Sequence, residues 1–513
     1  MCEKPYGRRE RVKKVEAAAL KAVIDMQSRS KTAEILERAE EVIRMGPYTD
    51  SWESLCGYKP PAWYQAVKFG IFVHWGPYSV PAFNSEWYSR TMYQEGSAEY
   101  AYHRQTYGPQ DEFGYKEFIP LFTGERFDAD EWIALFKKAG ARYVVPVAEH
   151  HDGFMMYQSA LSKFTAVNMG PRRDVLREIK DACDKEGLIL GVSNHRAEHY
   201  WFMEGARLCG DTSDPDFEEY YGPAMPSPCD WDGYGEPPEL TQHMDDWLAR
   251  CCELVERYKP AMVYFDWWIE YPAFKPYLMK FAAYYYNCAY RWGIKVVISY
   301  KHDAFALGSA VYDVERGKLS QISPRPWQCD TAVGLNSWGY TRNNQYKTAE
   351  SIVRDLVDVI SKNGCLLLNV GPRPDGTIAK EEADVLLRIG NWMENNREAV
   401  YGTTFWKIYG EGPCEVPEGT MTDHTPLSYT EEDIRFTYKN ACIYAFVMQW
   451  TGKPVKIRAL ARRSPHFQGQ IRTVDILGFA GPIGYRQTEE ALELEPVPGI
   501  QSLFPVVIKI TIE

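Results

Sequence analysis

Residues 128–148 read DADEWIALFKKAGARYVVPVA, and the order of elements in this stretch decides the fold. Asp128 can cap a helix whose apolar side chains recur at helical spacing on one face. Gly140 ends that helix, and the apolar run that begins at Tyr143 follows without polar alternation. Such a run is typical of a strand in a parallel sheet that is covered on both faces.

The same order of helix, glycine or proline, and apolar run recurs from about residue 60 to about residue 400. Repetition of this kind over such a length favours a (β/α) barrel over an open sheet, which is usually shorter. The predicted helices are residues 128–139, 174–186, 245–258 and 348–362, and the predicted strands lie in the apolar runs 69–73, 143–148, 188–192, 261–265, 295–299 and 365–370.

The two ends of the chain follow other patterns. Residues 15–24 (VEAAALKAVI) are apolar at helical spacing and indicate a helical extension over residues 1 to about 45. Near the other end, residues 434–438 and 508–513 alternate between apolar and polar side chains, which indicates antiparallel strands with one face in water, arranged as a small β-sandwich. The predicted organisation is therefore a helical extension (1–50), a barrel (51–400) and a β-sandwich (401–513).

Composition excludes several classes of function. The 58 basic and 70 acidic residues give a net charge of −12, which disfavours a nucleic acid partner. No apolar run approaches the ~18 residues of a membrane helix, and no apolar stretch follows the basic residues at the N-terminus, so we expect neither a membrane span nor a signal peptide. The 12 scattered cysteines suggest reduced thiols and a cytoplasmic location. Aromatic residues make up 14% of the chain, which suits stacking on sugar rings or a large aromatic core.

Polar side chains follow the predicted strands where each strand ends, and a barrel of this type places its active site at that end. One such residue alone more often caps a helix or completes a hydrogen bond, but carboxylates, imidazoles and indoles at six strand ends together indicate a site. These segments are His74 with Glu86 and Trp87, Glu149 to Asp152, Ser193 to Arg196, Asp266 to Trp268, Lys301 to Asp303, and Asp313 to Arg316.

Two carboxylates on neighbouring strand ends are the minimum needed to cleave a glycosidic bond. Asp266 is short, rigidly based and flanked by aromatic rings, as suits a nucleophile, whereas Glu315 has the longer arm of an acid/base group. The ionised nucleophile should raise the pKa of Glu315, and the pKa should fall once the nucleophile is esterified.

Six blocks of sequence, in order over about residues 60–405, resemble the signature blocks of α-L-fucosidases, glycoside hydrolase family 29. The resemblance implies a retaining exo-glycosidase with a (β/α)8-like barrel and a C-terminal β-sandwich, no metal or other cofactor, and a fucosylated oligosaccharide as substrate. The blocks are KFGIFVHWGPYSVP (68–81), SEWY (85–88), HHDGF (150–154), FD (265–266), SWGY (337–340) and LNVGP (368–372).

The resemblance also implies roles for residues of this chain. Asp266 matches the nucleophile and Glu315 the acid/base group, for which Glu270 and Asp313 are rivals. Trp338 matches an aromatic beside the C6 methyl of fucose. The residues that match binders of the fucose hydroxyls are His74, Glu86, Trp87, His150 and His151.

Departures from the family pattern concern the linkage and the leaving group more than the chemistry. Asn194, Tyr264 and Lys301 stand where many members have a tyrosine, a tryptophan and an arginine, and we predict that these three also contact the substrate. Trp267, Trp268 and the aromatic insert at about residues 200–234 suggest a shaped site for the leaving group.

Three alternatives remain open from the sequence. An apolar C6 pocket rejects the extra hydroxyl of L-galactose only about 10²-fold, so α-L-galactosidase activity is one. A fucose-binding protein without turnover is the second, and it requires that no carboxyl other than Asp266 reaches the anomeric carbon. The third is a zinc peptidase, because His195 to His199 match H-x-x-E-H. The sequence does not determine the oligomeric state, and a homo-oligomer is possible.

Overall fold

The computed structural model describes residues 28–227, 238–425, 427–497 and 499–513. Eight parallel strands close into a barrel in chain order, with the first strand paired to the second and to the eighth. This confirms the predicted barrel. The strands are β1 (Phe69–Val73), β2 (Tyr143–Glu149), β3 (Ile189–Asn194), β4 (Met262–Phe265), β5 (Val297–Tyr300), β6 (Val311–Glu315), β7 (Trp327–Ala332) and β8 (Gly364–Val370).

Helices surround the barrel and connect most of its strands. Helices α6, α7, α10, α11 and α12, given below, lie between consecutive strands, whereas residues 301–310 and 316–326 join β5 to β6 and β6 to β7 without an α-helix. The α-helices are α1 (28–45), α2 (Trp52–Leu55), α3 (Ala62–Val67), α4 (Tyr88–Thr91), α5 (Ala98–Thr106), α6 (Ala129–Lys138), α7 (Val175–Glu186), α8 (His199–Phe202), α9 (Glu218–Tyr221), α10 (Pro238–Tyr258), α11 (Lys275–Trp292), α12 (Ala349–Ser361) and α13 (Lys380–Val400).

Alternation along each strand separates the barrel interior from the layer between strands and helices. In β4, Met262 and Tyr264 belong to the interior cluster, whereas Val263 and Phe265 pack in the core that the helices share. Both faces are thus buried, which explains why the strands read as unbroken apolar runs. Asp266 continues the inward series one residue beyond the end of β4.

Strands β6 (VYDVE) and β7 (WQCDTA) were missed as apolar runs because their inward side chains are polar. Asp313, Gln328 and Asp330 are nearly inaccessible inside the barrel. The Lys301 ammonium, also buried, lies 2.6 Å from Asp313 Oδ1 and 3.0 Å from Asp330 Oδ2. Burial of acidic groups without a cation would be costly, so Lys301 makes this polar layer possible.

The helical extension is described only in part. Helix α1 packs on the barrel through Ile35, Ala39 and Ile43, which are buried. The apolar stretch 15–24 that predicted the extension lies outside the described residues. No helix in the described ranges is long and apolar enough to span a bilayer.

The C-terminal part forms a five-stranded and a three-stranded antiparallel sheet around one apolar cluster, as predicted for a sandwich. The first sheet has the order β13-β16-β11-β10-β9 and the second β12-β15-β14. The strands are β9 (Thr404–Glu411), β10 (Ile434–Lys439), β11 (Cys442–Val447), β12 (Val455–Ile457), β13 (Ile471–Ile476), β14 (Tyr485–Gln487), β15 (Leu492–Leu494) and β16 (Val506–Ile512).

The prediction that the second face of this sheet meets water was wrong for its central strands. Ile434 and Phe436 point into the sandwich, but Arg435 and Thr437, on the other face of β10, point at the barrel helices. Arg435 Nε donates to Asp358 Oδ1 of α12 at 2.7 Å, so a charged side chain in the alternating pattern marks a buried ion pair.

Candidate active site

A cavity of about 770 Å³ opens at the carboxyl ends of the barrel strands. Loops that follow β1, β2, β3, β4, β6 and β7 contribute to its wall, as the barrel geometry requires. The structure brings together here nine of the eleven predicted site residues. These are His74, Glu86, Trp87, His150, His151, Tyr264, Asp266, Glu315 and Trp338.

Asp266 is held by two imidazoles through one of its oxygens. Its Oδ2 lies 3.0 Å from His195 Nδ1 and 3.3 Å from His151 Nε2. Burial opposes ionisation, but the two histidines outweigh it and hold the pKa of Asp266 well below its ordinary value. The carboxylate is therefore ionised and fixed in direction.

The pKa values of the two histidines shift in opposite directions. His151 Nδ1 donates to the His195 carbonyl at 2.8 Å and lies 3.3 Å from Glu198. Although burial disfavours its charge, Glu198 and Asp266 raise the pKa of His151 above its ordinary value. Burial lowers the pKa of His195, whose Nε2 lies 3.0 Å from Ser193 Oγ, so a neutral His195 donates from Nδ1 to Asp266 and accepts at Nε2.

Glu315 ends β6 and faces the same cavity. The indole Nε1–H of Trp267 donates to its Oε2, and Lys301 Nζ lies 3.4 Å from the same oxygen. Burial, which favours the neutral acid, outweighs the attraction of Lys301 and raises the pKa of Glu315 to about 7. This carboxyl can therefore exchange a proton near neutral pH.

The structure separates the two rivals of Glu315. Glu270 lines the cavity, its Oε2 is buried without a hydrogen-bond partner, and burial raises its pKa to about 7. Asp313 is absent from the cavity wall, because it lies deeper in the barrel, bonded to Lys301 and to Gln328 Nε2 at 2.6 Å. Glu270 thus remains a rival of Glu315 by position, and Asp313 does not.

Polar groups suited to sugar hydroxyls line the inner part of the cavity. His74 Nδ1 donates to Asn369 Oδ1 at 2.7 Å, and burial lowers the pKa of His74 well below its ordinary value, which leaves Nε2 as an acceptor. His150 Nδ1 is buried without a partner. Glu86 Oε2 accepts from Ser337 Oγ at 2.8 Å and from the backbone N–H groups of Trp338 and Gly339, which anchors this carboxylate.

Asn194 and Lys301, also predicted as substrate contacts, are absent from the cavity wall. Asn194 shares the alternation of Leu190 and Val192, which face the helices, and its Oδ1 accepts from the Arg196 N–H at 3.1 Å. Lys301 lies below the cavity, in the polar layer inside the barrel. It contacts three residues of the wall, Glu315, Asp330 and Tyr264, from below.

Several residues of the cavity wall were not predicted from the sequence as site residues. His195 takes the inward place next to Asn194, and the alternation of Gly191 and Ser193 could have indicated this. Met421 and His424 belong to the loop between β9 and β10, and nothing in their local sequence links them to the barrel. Trp267 and Trp268, predicted to shape the site for the leaving group, also line the cavity. The wall residues to which the sequence assigned no role include His195, Glu198, Arg316, Asp330, Asn336, Met421 and His424.

Two groups of side chains in the described residues could hold a metal ion, each with ligand atoms within 4.8 Å of one another. One is His74, His150 and His195, and the other is His151, His195 and Asp266. His199 belongs to neither, since its Nδ1 donates to the His151 carbonyl at 2.7 Å. Residues Arg196–Glu198 form a 3₁₀ turn instead of the helix interior that a zinc peptidase motif needs, so nothing here favours that alternative.

Comparisons with known proteins agree with the sequence blocks and the barrel. The α-L-fucosidase family model matches residues 35–398. Plasma α-L-fucosidase of Pongo abelii is 32% identical over 79% of this chain and 79% of that protein, and tissue α-L-fucosidase of Rattus norvegicus is 29% identical over 89% and 88%. The crystal structure of Thermotoga maritima α-fucosidase covers 90% of this chain and 100% of its own, with a TM-score of 0.70 and 28% identity. The chain belongs to the α-L-fucosidase family and is a glycoside hydrolase.

Proposed function

We propose that the chain is a retaining exo-α-L-fucosidase that releases terminal L-fucose from fucosylated oligosaccharides by double displacement. One observation carries the proposal: an ionised carboxylate, Asp266, and a carboxyl that titrates near neutrality, Glu315, line the same cavity. Retention requires such a pair, with one group attacking carbon and the other moving a proton.

In the first step Asp266 attacks C1 of fucose while Glu315 donates its proton to the departing oxygen, which leaves a covalent fucosyl-enzyme. The hydrogen bonds from His151 and His195 keep Asp266 ionised and oriented. Ester formation removes the negative charge of Asp266, one of the groups that raise the pKa of Glu315. The pKa of Glu315 then falls, and its carboxylate takes a proton from the water that attacks C1, which breaks the bond from C1 to the Asp266 oxygen, releases fucose and restores the Asp266 carboxylate.

The inner wall of the cavity supports recognition of fucose. His74 Nε2, His150 Nδ1 and the free oxygen of Glu86 supply hydrogen-bonding groups for hydroxyls. Phe72 and Trp338, whose ring centroids are 6.1 Å apart, supply an apolar surface for the C6 methyl. An apolar surface discriminates against an added hydroxyl by only about 10²-fold, so slower hydrolysis of an α-L-galactoside is expected.

The test begins with an aryl α-L-fucoside and the variant Asp266→Asn. We expect hydrolysis by the unmodified protein with α-L-fucose as the first product by NMR, and a loss of at least about 10³-fold in the variant, as for removal of other catalytic groups. First release of β-L-fucose would refute retention. Fucose binding without hydrolysis would show a binding protein.

A second comparison separates Glu315 from Glu270. In a variant that lacks the acid/base group, an aryl fucoside still forms the fucosyl-enzyme, because its good leaving group needs no proton. Azide should then attack this intermediate without help from a base, restore turnover and yield α-L-fucosyl azide. We expect this behaviour for Glu315→Gln and not for Glu270→Gln. The reverse result would transfer the role to Glu270.

A further inference from the structure

A loop of the C-terminal sandwich forms part of the cavity rim. Met421 and His424, in the connection between β9 and β10, lie on the cavity wall together with Glu315. The sandwich therefore contributes directly to a site that the barrel otherwise builds.

Backbone contacts dock this loop on the end of β6. The N–H of Met421 donates to the Glu315 carbonyl at 2.8 Å, and the N–H of Thr422 donates to the Arg316 carbonyl at 2.8 Å. A Cβ added to Gly317 would lie 2.0 Å from the carbonyl oxygen of Gly419, so only glycine permits this close approach. The loop thus moves with the residue that carries the acid/base carboxyl.

A buried carboxylate fixes the same loop from the other side. The side chain of Asp423 is only 3% exposed, and its Oδ2 accepts from Lys347 Nζ and, at 2.7 Å, from Thr331 Oγ1 of β7. Arg316 Nη1 lies 3.6 Å from the same oxygen. Contacts with the end of β6, with β7 and with Lys347, just before α12, thus anchor the loop that carries Met421 and His424.

Met421 has no evident role in stability. Its side chain is 52% exposed, and its backbone lies in the left-handed region with φ 55°. An apolar side chain that protrudes at a cavity rim from a backbone in the left-handed region is available to contact a ligand. His424 is similarly exposed, and its Nε2 lies 3.6 Å from Asp423 Oδ1.

Met421 and His424 lie nearer to solvent than the residues proposed to bind fucose. His74 is 3% exposed and His150 4%, so fucose lies deep, and the rest of the glycan must extend towards the rim. In the proposed mechanism Glu315 protonates the oxygen between the two sugars, and the loop is attached to the backbone of Glu315. The next group on the wall towards solvent therefore faces the sugar that carries fucose.

We propose that Met421 and His424 form a subsite for the pyranose to which fucose is attached. The Met421 side chain packs on a C–H face of that ring, and the His424 imidazole hydrogen-bonds a hydroxyl. This inference rests on the proposed function, in particular on Glu315 as the acid/base group. Trp267, which contacts Glu315 and lines the cavity, supplies a second aromatic surface nearby.

The test compares two substrates in each variant. One is an aryl α-L-fucoside, which lacks the second sugar, and the other is the best substrate from fucosylated lactose and N-acetyllactosamine with different linkages. We expect Met421→Ala to reduce kcat/KM for the oligosaccharide about tenfold, mostly through KM, with the aryl fucoside changed less than about twofold. His424→Ala should also reduce kcat/KM for the oligosaccharide. Met421→Phe, which keeps an apolar surface, should retain most of the kcat/KM of the unmodified protein.

A matched control is Met45→Ala, since Met45 is 67% exposed at the end of α1, away from the cavity wall. Equal losses on both substrates, no loss on either, or an unmodified protein that cleaves only the aryl fucoside would each overturn the subsite. Failure of the unmodified protein to cleave the aryl fucoside would instead refute the proposed function.

Discussion

The hydrogen bond from Trp267 to Glu315 should set the pH above which the enzyme loses activity. Glu315 must be protonated to assist the leaving group, so kcat/KM falls as pH rises through the pKa of this carboxyl, about 7. The indole N–H bonds the ionised form and therefore lowers this pKa. The variant Trp267→Phe keeps an aromatic ring but removes the donor.

The size of the shift follows from the strength of that bond. A hydrogen bond to a charged group contributes about 1.5–3 kcal/mol, and one pKa unit corresponds to about 1.36 kcal/mol. Loss of this hydrogen bond can therefore raise the pKa of Glu315 by at most about one to two units. Lys301 remains 3.4 Å from the same oxygen and water can replace the donor, so we expect the lower end, a rise of about one unit.

The assay is kcat/KM against pH with an unactivated fucoside such as the methyl glycoside, because a good aryl leaving group needs little protonation. The alkaline limb should move upward by about one unit in Trp267→Phe. Trp87→Phe serves as the control, since Trp87 also lines the cavity but stacks edge-on with His151. The alkaline limb of the pH profile should stay in place in Trp87→Phe. A limb that is unmoved or lowered in Trp267→Phe would refute the reasoning.

Three further outcomes are expected. Arg435→Ala removes one of the two buried cations that pair with Asp358, leaving Lys362, and should lower the free energy of unfolding in urea by about 1.5–3 kcal/mol, whereas Arg458→Ala, at an exposed pair, should change it by less than about 1 kcal/mol; equal effects would contradict the burial argument. Gly317→Ala should push the loop at Gly419 away, destabilise the protein by about 1–3 kcal/mol and lower kcat/KM, and unchanged values of both would show that the loop yields freely. Dialysis against EDTA should leave kcat unchanged because the proposed displacement needs two carboxylates of the protein, and a loss that a divalent cation restores would contradict it.

The sequence predicts site residues most directly where the alternation along a strand and the local residue pattern agree. Asp266 follows Met262 and Tyr264 in the inward series of β4, so its place on the cavity wall could be read from the chain. Asn194 lies one residue outside the inward series of β3: its polar character indicates a site residue, but the alternation of the strand favours His195. Attention to the period of two along each strand would have corrected this.

Other features had no local signal. The predicted strands omitted β6 and β7, since burial there depends on a cation, Lys301, supplied by β5. The water-facing side assigned to β10 in fact contacts α12, because the sandwich covers barrel helices that are distant in sequence. Met421 reaches the cavity only because its loop docks on Glu315.

By itself the sequence determined the repeated strand–helix order, the barrel that it implies, the family blocks and the ionisable groups at the strand ends. These properties depend on local periodicity and on residue type, which act over a few residues. The tertiary structure decided which carboxyl stays ionised, which titrates near neutrality, and which segment of the sandwich completes the cavity. Those properties depend on burial and on charges brought within a few ångströms by strands far apart in the chain, and only the closed barrel sets these distances.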